Sequence, residues 1–196
     1  VIWFLLGYSP WMLVSECLSG SASCMQANSG LIKSFPFGKQ IIVYSVVLSA
    51  LPQLALCLAI SFILMIVTGV RFRSFSLVYQ LLGISDLLLI IVVVSLCLSL
   101  LGLVFRDLPV VLPQLLMMLL FASPIFFPAS ALPPLLSTLA HFNPLVVSID
   151  LIRAPVVAPS TFSIALGLIG FPIGVFVWRL VLHRYRRYDG VVASLI

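Results

Sequence analysis

Two carboxylate residues lie inside long apolar stretches of the sequence, where a charge is costly. Asp86 falls about ten residues into one run, roughly 15 Å along a helix. Such a carboxylate should face a bundle interior or a water-filled cavity rather than lipid. Asp86 is therefore either a substrate-path or coupling residue, or a helix contact bonded to Ser85 or a nearby glutamine. Glu16 lies nearer the predicted cytoplasmic end of its run, which favours a structural role.

The sequence lacks the common catalytic patterns. No G-x-x-x-x-G-K-[ST] loop for nucleotide phosphates is present. Ser85 is not followed by the glycine of a serine-nucleophile turn, and neither His141 nor His183 belongs to an H-E-x-x-H helix. The four cysteines have no metal-ligand spacing. We therefore expect no enzyme activity and no bound cofactor or metal; if ATP drives this protein, another chain binds it.

The segment 28–40 is the most informative loop. Asn28 or Ser29 can cap a short helix, and Pro36 can end it. Such a helix would expose apolar side chains on the cytoplasmic side, where they could enter a groove of a partner. These apolar side chains would be Leu31, Ile32 and Phe35. The alternative is an interfacial turn that Lys33 and Phe35 anchor among lipid headgroups.

Aromatic residues cluster in the second half of the chain, at Phe121, Phe126, Phe127 and Phe142. Aromatic belts at membrane interfaces explain such residues in general. A more specific interpretation is that they stack against sugars along an export path. The sequence leaves both interpretations open.

The composition requires lipid as the main solvent. Of 196 residues, 63% are apolar and 8% are charged, and the mean hydropathy is +1.31. Soluble domains carry about 25% charged residues. The net charge of +5 indicates no nucleic-acid partner, because the basic residues flank the apolar runs.

The apolar runs predict an all-α, polytopic membrane helix bundle that forms one domain, 1–196. About five transmembrane helices are expected; the runs are 1–24, 41–68, 77–105, 108–127 and 162–182. The first should break at Gly7 and Pro10, and the second should kink at Pro52. Between 128 and 160, prolines interrupt the apolar sequence, which predicts short helices on the extracytoplasmic side that are re-entrant or lie at the membrane surface. Because the chain starts inside an apolar run without Met, we expect its N-terminal part to be missing.

The distribution of Lys and Arg predicts the orientation. Five crossings place the 28–40 loop, the 106–107 turn and the C-terminal tail on one side. That side holds seven basic residues, against three on the other, and should be cytoplasmic.

Four short blocks resemble one transporter family. The sequence Asn28-Ser29-Gly30-Leu31-Ile32-Lys33 with Phe35-Pro36 is similar to the coupling-helix region of ABC-2 type permeases. Phe105-Arg106-Asp107-Leu108-Pro109 resembles their cytoplasmic turn, and Ser123-Pro124-Ile125-Phe126-Phe127-Pro128 resembles the end of their fifth helix. Asn143-Pro144-Leu145, followed by Ile152-Arg153-Ala154-Pro155, is similar to the polysaccharide and O-antigen export branch.

The resemblance implies a partner set and a cargo. The full permease would have six spans, of which this chain holds the second to sixth. Two permease copies would form the path, and two ATPase subunits, carrying ATP and Mg, would dock below them. The cargo would be a lipid-linked glycan of O-antigen, capsule or teichoic type that crosses the bacterial cytoplasmic membrane.

The resemblance also implies roles for residues. Coupling to the ATPase would involve Asn28, Leu31, Ile32, Lys33, Phe35 and Pro36, and the cytoplasmic turn would be Arg106 and Asp107. The gate and translocation path would involve Asp86, Phe121, Pro124, Phe126, Phe127, Asn143, Pro144 and Arg153. Two alternatives remain: an ABC-2 permease for drugs or lipids, and an ATP-independent secondary transporter or channel.

Overall fold

The computed structural model describes residues 2–35, 37–69, 75–126 and 142–195, and every regular element in these ranges is a helix. The elements are α1 (Ile2–Ala27), α2 (Ser29–Ser34), α3 (Gln40–Val67), α4 (Ser76–Val104), α5 (Leu108–Ala122), α6 (Pro144–Ile152) and α7 (Thr161–Leu195). The expected all-helical membrane bundle is confirmed. Pro36, Phe127, and the part of the predicted re-entrant region up to residue 141 lie outside the described residues.

Within the described ranges, three helices are long and apolar enough to cross a membrane, so the protein is a multi-pass membrane protein. They are α3, α4 and the Thr161–Arg187 part of α7. The bounds of α3 and α4 agree with the sequence runs to within one residue. α5 has 15 residues, or roughly 22 Å, which is less than the ~30 Å hydrocarbon core. α1 is long enough, with 26 residues, but is less apolar than the three spans.

α1 makes contacts with most of the bundle. It packs against α3, α4, α5 and α6. The predicted break at Gly7 and Pro10 is wrong, because α1 continues through both residues and both are buried. Neighbouring helices on either side can hold a membrane helix together where proline removes one hydrogen bond.

α1 and α4 approach each other most closely near the end of α4. A Cβ on Gly102 would collide with the Ala22 carbonyl, so only glycine fits there. In the same region Gln26 Nε2 donates to the Gly102 carbonyl at 2.7 Å. This contact places the end of α1, and therefore α2, beside the turn between α4 and α5.

The end of α7 meets the same end of the bundle. Tyr185 is buried and its hydroxyl lies 3.2 Å from Ser99 Oγ on α4. Tyr185 belongs to the same apolar cluster as Ile32 on α2 and Ile42 on α3. The helix ends that carry the basic residues of the 28–40 loop, the 106–107 turn and the tail therefore lie together, as the charge pattern predicted.

α6 is a short helix that does not cross the bundle. Asn143 Oδ1 caps it by accepting from the Leu145 amide at 3.0 Å, and Pro144 stands at its first position. Pro144 lines a cavity with α4 residues 89–94, whereas Ser148 contacts Asp86 nearer the start of α4. α6 therefore begins level with the middle of α4 and runs toward the start of α4.

Candidate functional site

One face of α1 is polar and accessible along its whole length. At 100° per residue, its members fall within an arc of about 120°. We name it the α1 stripe: Phe4, Tyr8, Met12, Ser15, Glu16, Ser19, Ser23 and Gln26, each at least partly exposed.

The opposite face of α1 fixes the direction in which the stripe points. Leu13, Val14 and Cys17 are at most 2% exposed and belong to the main apolar core. That core also contains residues of α3 and α4. The stripe therefore points away from these two helices, except at its end, where Gln26 donates to the Gly102 carbonyl of α4.

The chemistry of the stripe changes along its length. Phe4 and Tyr8 stand at its beginning, whereas serine hydroxyls, a carboxylate and an amide follow toward α2. Glu16 lies roughly 21 Å along the helix from Ile2, near its middle, and is exposed. A carboxylate at that depth is costly in lipid, so the stripe needs water, another protein surface or a polar cargo beside it.

The aromatic end of the stripe contacts aromatic residues at and just after the end of α5. The Phe4 and Tyr8 rings stack with centroids 5.3 Å apart, and Phe126 lies 5.6 Å from Phe4 and 6.2 Å from Tyr8. Phe121 lies 5.8 Å from Phe126. The predicted pair Phe121 and Phe126 thus becomes part of a four-ring group. Phe142 instead makes an edge contact with Phe162, at 5.7 Å.

Arg153 binds the main chain immediately before Phe126 and so supports this aromatic group. Its Nη2 donates to the Ile125 carbonyl at 2.7 Å and its Nη1 to the Pro124 carbonyl at 3.3 Å. The guanidinium also lies 3.8 Å from the centre of the Trp3 ring, and the absence of a side chain at Gly7 leaves room for it.

Arg153 is consequently a clamp between α1, α6 and the chain after α5. With 6% exposure it is not on the stripe. It lines a separate cavity of about 270 Å³ with Asp150 and Ser163, whose side chains share a 2.6 Å hydrogen bond. Nε has no partner among the described residues.

Asp86 belongs to a different part of the molecule from the α1 stripe. Ser148 Oγ on α6 donates to Asp86 Oδ2 at 2.9 Å, and Gly170 on α7 faces Oδ1. The suggested partner Ser85 is wrong, because its hydroxyl bonds the Leu82 carbonyl of its own helix. Asp86 also lines a mainly apolar cavity of about 320 Å³ between α4, α6 and α7. The structure therefore does not bring Asp86 together with the aromatic group.

The short helix α2 forms where the 28–40 loop predicted it, with one side chain placed differently. Leu31 and Phe35 are 47% and 61% exposed, and Lys33 is exposed as well. The expectation that Ile32 would be exposed is wrong: it is buried against Met25, Ile42 and Tyr185. A six-residue helix cannot present every apolar residue outward, and Ile32 fixes its underside to the bundle.

Asn28 does not cap α2 with its side chain. Its Nδ2 donates instead to the Cys24 carbonyl of α1 at 2.8 Å, while its own carbonyl accepts from the Ile32 amide. Arg106 and Asp107 form an exposed turn, and the Asp107 carbonyl starts α5 by accepting from two amides. α2 and this turn are linked through Gln26 and Gly102.

The family model described as "ABC-2 type transporter" matches residues 2–157, most of this chain. The chain belongs to the ABC-2 type transporter family. The polysialic acid transport protein KpsM of Escherichia coli is 28% identical over 158 residues, which cover 79% of this chain and 60% of KpsM. The chain thus spans about 60% of the length of that curated relative.

Sequence reasoning found the family but missed the accessible face of this ABC-2 protein. Tyr8, Ser15, Ser19 and Ser23 recur at intervals of three or four residues or their multiples, which is the signal of a helical face. Glu16 lies on the same face. Buried serines at positions 9 and 21 obscure this pattern.

Proposed function

We propose that this protein is the membrane-spanning subunit of an ATP-driven exporter that moves lipid-linked polysaccharide across the bacterial cytoplasmic membrane. The single observation that carries the proposal is the α1 stripe. It offers hydroxyl, amide and carboxylate groups that can hydrogen-bond sugar hydroxyls, and aromatic rings on which sugar rings can stack. The relative KpsM is named as a polysialic acid transport protein, which supports a polysaccharide as the cargo class.

The energy would come from a separate ATP-binding-cassette subunit that binds ATP and Mg. α2 is suited to receive it, because Leu31, Lys33 and Phe35 are exposed while Ile32 is fixed in the bundle. A push on the exposed face would therefore reach α1, α3 and α7 through packed side chains. Arg106 and Asp107 lie at the same end and would border the same contact.

A second copy of the chain would complete the path. The α1 stripe cannot face lipid at low cost, so a homodimer in which two stripes face a shared space would remove that cost. The two aromatic groups would then stand at the outer end of the path, and Gln26 at the inner end.

One observation favours a second candidate, an ABC-2 permease for lipids or apolar drugs. The cavity beside Asp86 is mostly apolar and has a volume of about 320 Å³, which suits a small apolar molecule. Such a cargo would use that cavity rather than the stripe.

Export assays in a deletion strain test the proposal. The full-length protein should restore export of a lipid-linked glycan, whereas Tyr8→Ala combined with Phe126→Ala should leave that glycan inside the cell. Phe176→Ala, which removes an exposed ring from α7, is the matched control and should restore export.

Three other results would each redirect the assignment. Normal glycan export in the deletion strain would exclude a glycan cargo. Retention of lipids or drugs instead would support the second candidate. Transport by the purified protein without an ATP-hydrolysing partner would indicate a secondary transporter or channel.

A further inference from the structure

We propose that Glu16 makes the path selective for uncharged glycans and disfavours acidic ones. This inference rests on the proposed function, because it treats the α1 stripe as the surface along which the polymer moves. It narrows the cargo class from polysaccharides in general to polysaccharides with few or no acidic groups, and so separates this chain from KpsM, whose name gives an acidic polymer as its cargo.

The position of Glu16 on the stripe carries the inference. It is exposed, near the middle of α1, and flanked on the same face by Met12, Ser15 and Ser19. The other members of the stripe are uncharged, so Glu16 alone sets its charge.

Arg153, Lys33 and Arg106 have positions that keep them away from the middle of the stripe. Arg153 points into the bundle, where it is bound to two carbonyls and stacked on Trp3. Lys33 and Arg106 lie at the α2 end, about one membrane leaflet away from the middle of α1. A polymer that passes Glu16 therefore meets a negative site.

The physical consequence differs for the two kinds of polymer. A carboxylate accepts hydrogen bonds from sugar hydroxyls, and such charge-assisted bonds are strong. A sugar carboxylate 4 Å from Glu16 is instead repelled, which lowers its occupancy about fivefold in water and more in a drier path. In a dimer with two facing stripes, an acidic polymer would be repelled by two Glu16 carboxylates.

Competition between two cargoes tests the inference directly. The full-length permease, with its ATPase partner, is reconstituted in vesicles with equal amounts of a neutral and a uronic-acid-containing lipid-linked glycan. The measured quantity is the ratio of acidic to neutral glycan translocated. We expect this ratio to rise at least fivefold in Glu16→Gln and to stay within twofold of wild type in Glu16→Asp, which keeps the charge.

A measurement on the wild-type protein tests the inference even if the Glu16→Gln variant misfolds. The wild-type ratio should also rise between 0.05 and 1 M salt, because the Debye length falls to about 3 Å at 1 M. An unchanged ratio in Glu16→Gln, or a salt-independent wild-type ratio, would overturn the inference while leaving glycan export intact. Wild-type vesicles that translocate neither glycan would overturn the proposed function as well.

Discussion

The accessible face of α1 and the accessible faces of the other long helices differ in chemistry. On α3, most of the large exposed side chains are apolar, among them Leu48, Leu56 and Ile63, and the exposed polar side chains, Ser45, Ser49 and Gln53, are uncharged. The α1 stripe also presents serines and a glutamine, but it adds the carboxylate of Glu16 near the middle of the helix. Since a carboxylate is costly in lipid, this difference favours lipid beside α3 and polar material beside the stripe.

The buried faces of these helices show how α1 is held in the bundle. Gly102 on α4 touches the main chain of α1, and Arg153 fills the space beside Gly7. α1 is thus held by these close contacts as well as by the apolar face that it buries in the core. A helix held in this way can present a polar face without leaving the membrane.

Placing a negative charge on each face should give the largest difference in stability between variants of α1 and α3. Leu56→Asp, on the exposed middle of α3, should cost about 2.5–3.5 kcal/mol because the carboxylate would enter lipid. Ser19→Asp on the stripe should change stability by less than about 0.5 kcal/mol. Unfolding of the two variants in mixed micelles measures both values, and equal destabilisation would mean that the stripe also faces lipid.

The close contact between α1 and α4 should give the next largest change in stability. Gly102→Ala should destabilise the protein by about 1–3 kcal/mol, because the new methyl group collides with the Ala22 carbonyl. Gly30→Ala on α2 is the control, since open space surrounds that position. Thermal denaturation should separate the two variants by several degrees; a neutral Gly102→Ala would contradict the tight α1–α4 contact.

The clamp behind the aromatic group gives a smaller effect. Arg153→Lys loses one of two hydrogen bonds from a charged donor, which should cost about 1.5 kcal/mol. Because the Ile125 carbonyl adjoins Phe126, glycan export should fall as well. A variant that unfolds and exports like the wild type would show that the clamp has no positioning role.

The exposed face of α2 should affect stability least. Phe35→Ala should leave the melting temperature almost unchanged, yet uncouple ATP hydrolysis from transport in the complex. Ile32→Ala is the contrast, since a buried Ile→Ala change costs about 2–5 kcal/mol. If Phe35→Ala lowered stability as much as Ile32→Ala, this would contradict the assignment of Phe35 to the exposed face of α2 and of Ile32 to the buried face.

The sequence predicted those features that depend on local pattern. Length and hydropathy defined α3 and α4. The family resemblance rested on short sequence blocks and is confirmed.

The missed features depend on contacts between distant parts of the chain. Nothing local shows that Asp86 would bond Ser148 on another helix rather than Ser85. The burial of Ile32 likewise requires Tyr185 of α7. The direction of the α1 stripe depends on Gly102, which decides the side of α1 on which α4 packs.

Cysteine accessibility along the two faces tests the central claim most directly. In the full-length protein with Cys57 and Cys97 replaced by alanine, a charged, membrane-impermeant maleimide should label Ser19→Cys on the α1 stripe. It should not label Leu56→Cys on α3, although a lipid-soluble maleimide should. An unlabelled Ser19→Cys, or equal labelling of both positions by the charged reagent, would contradict a water-accessible path along α1.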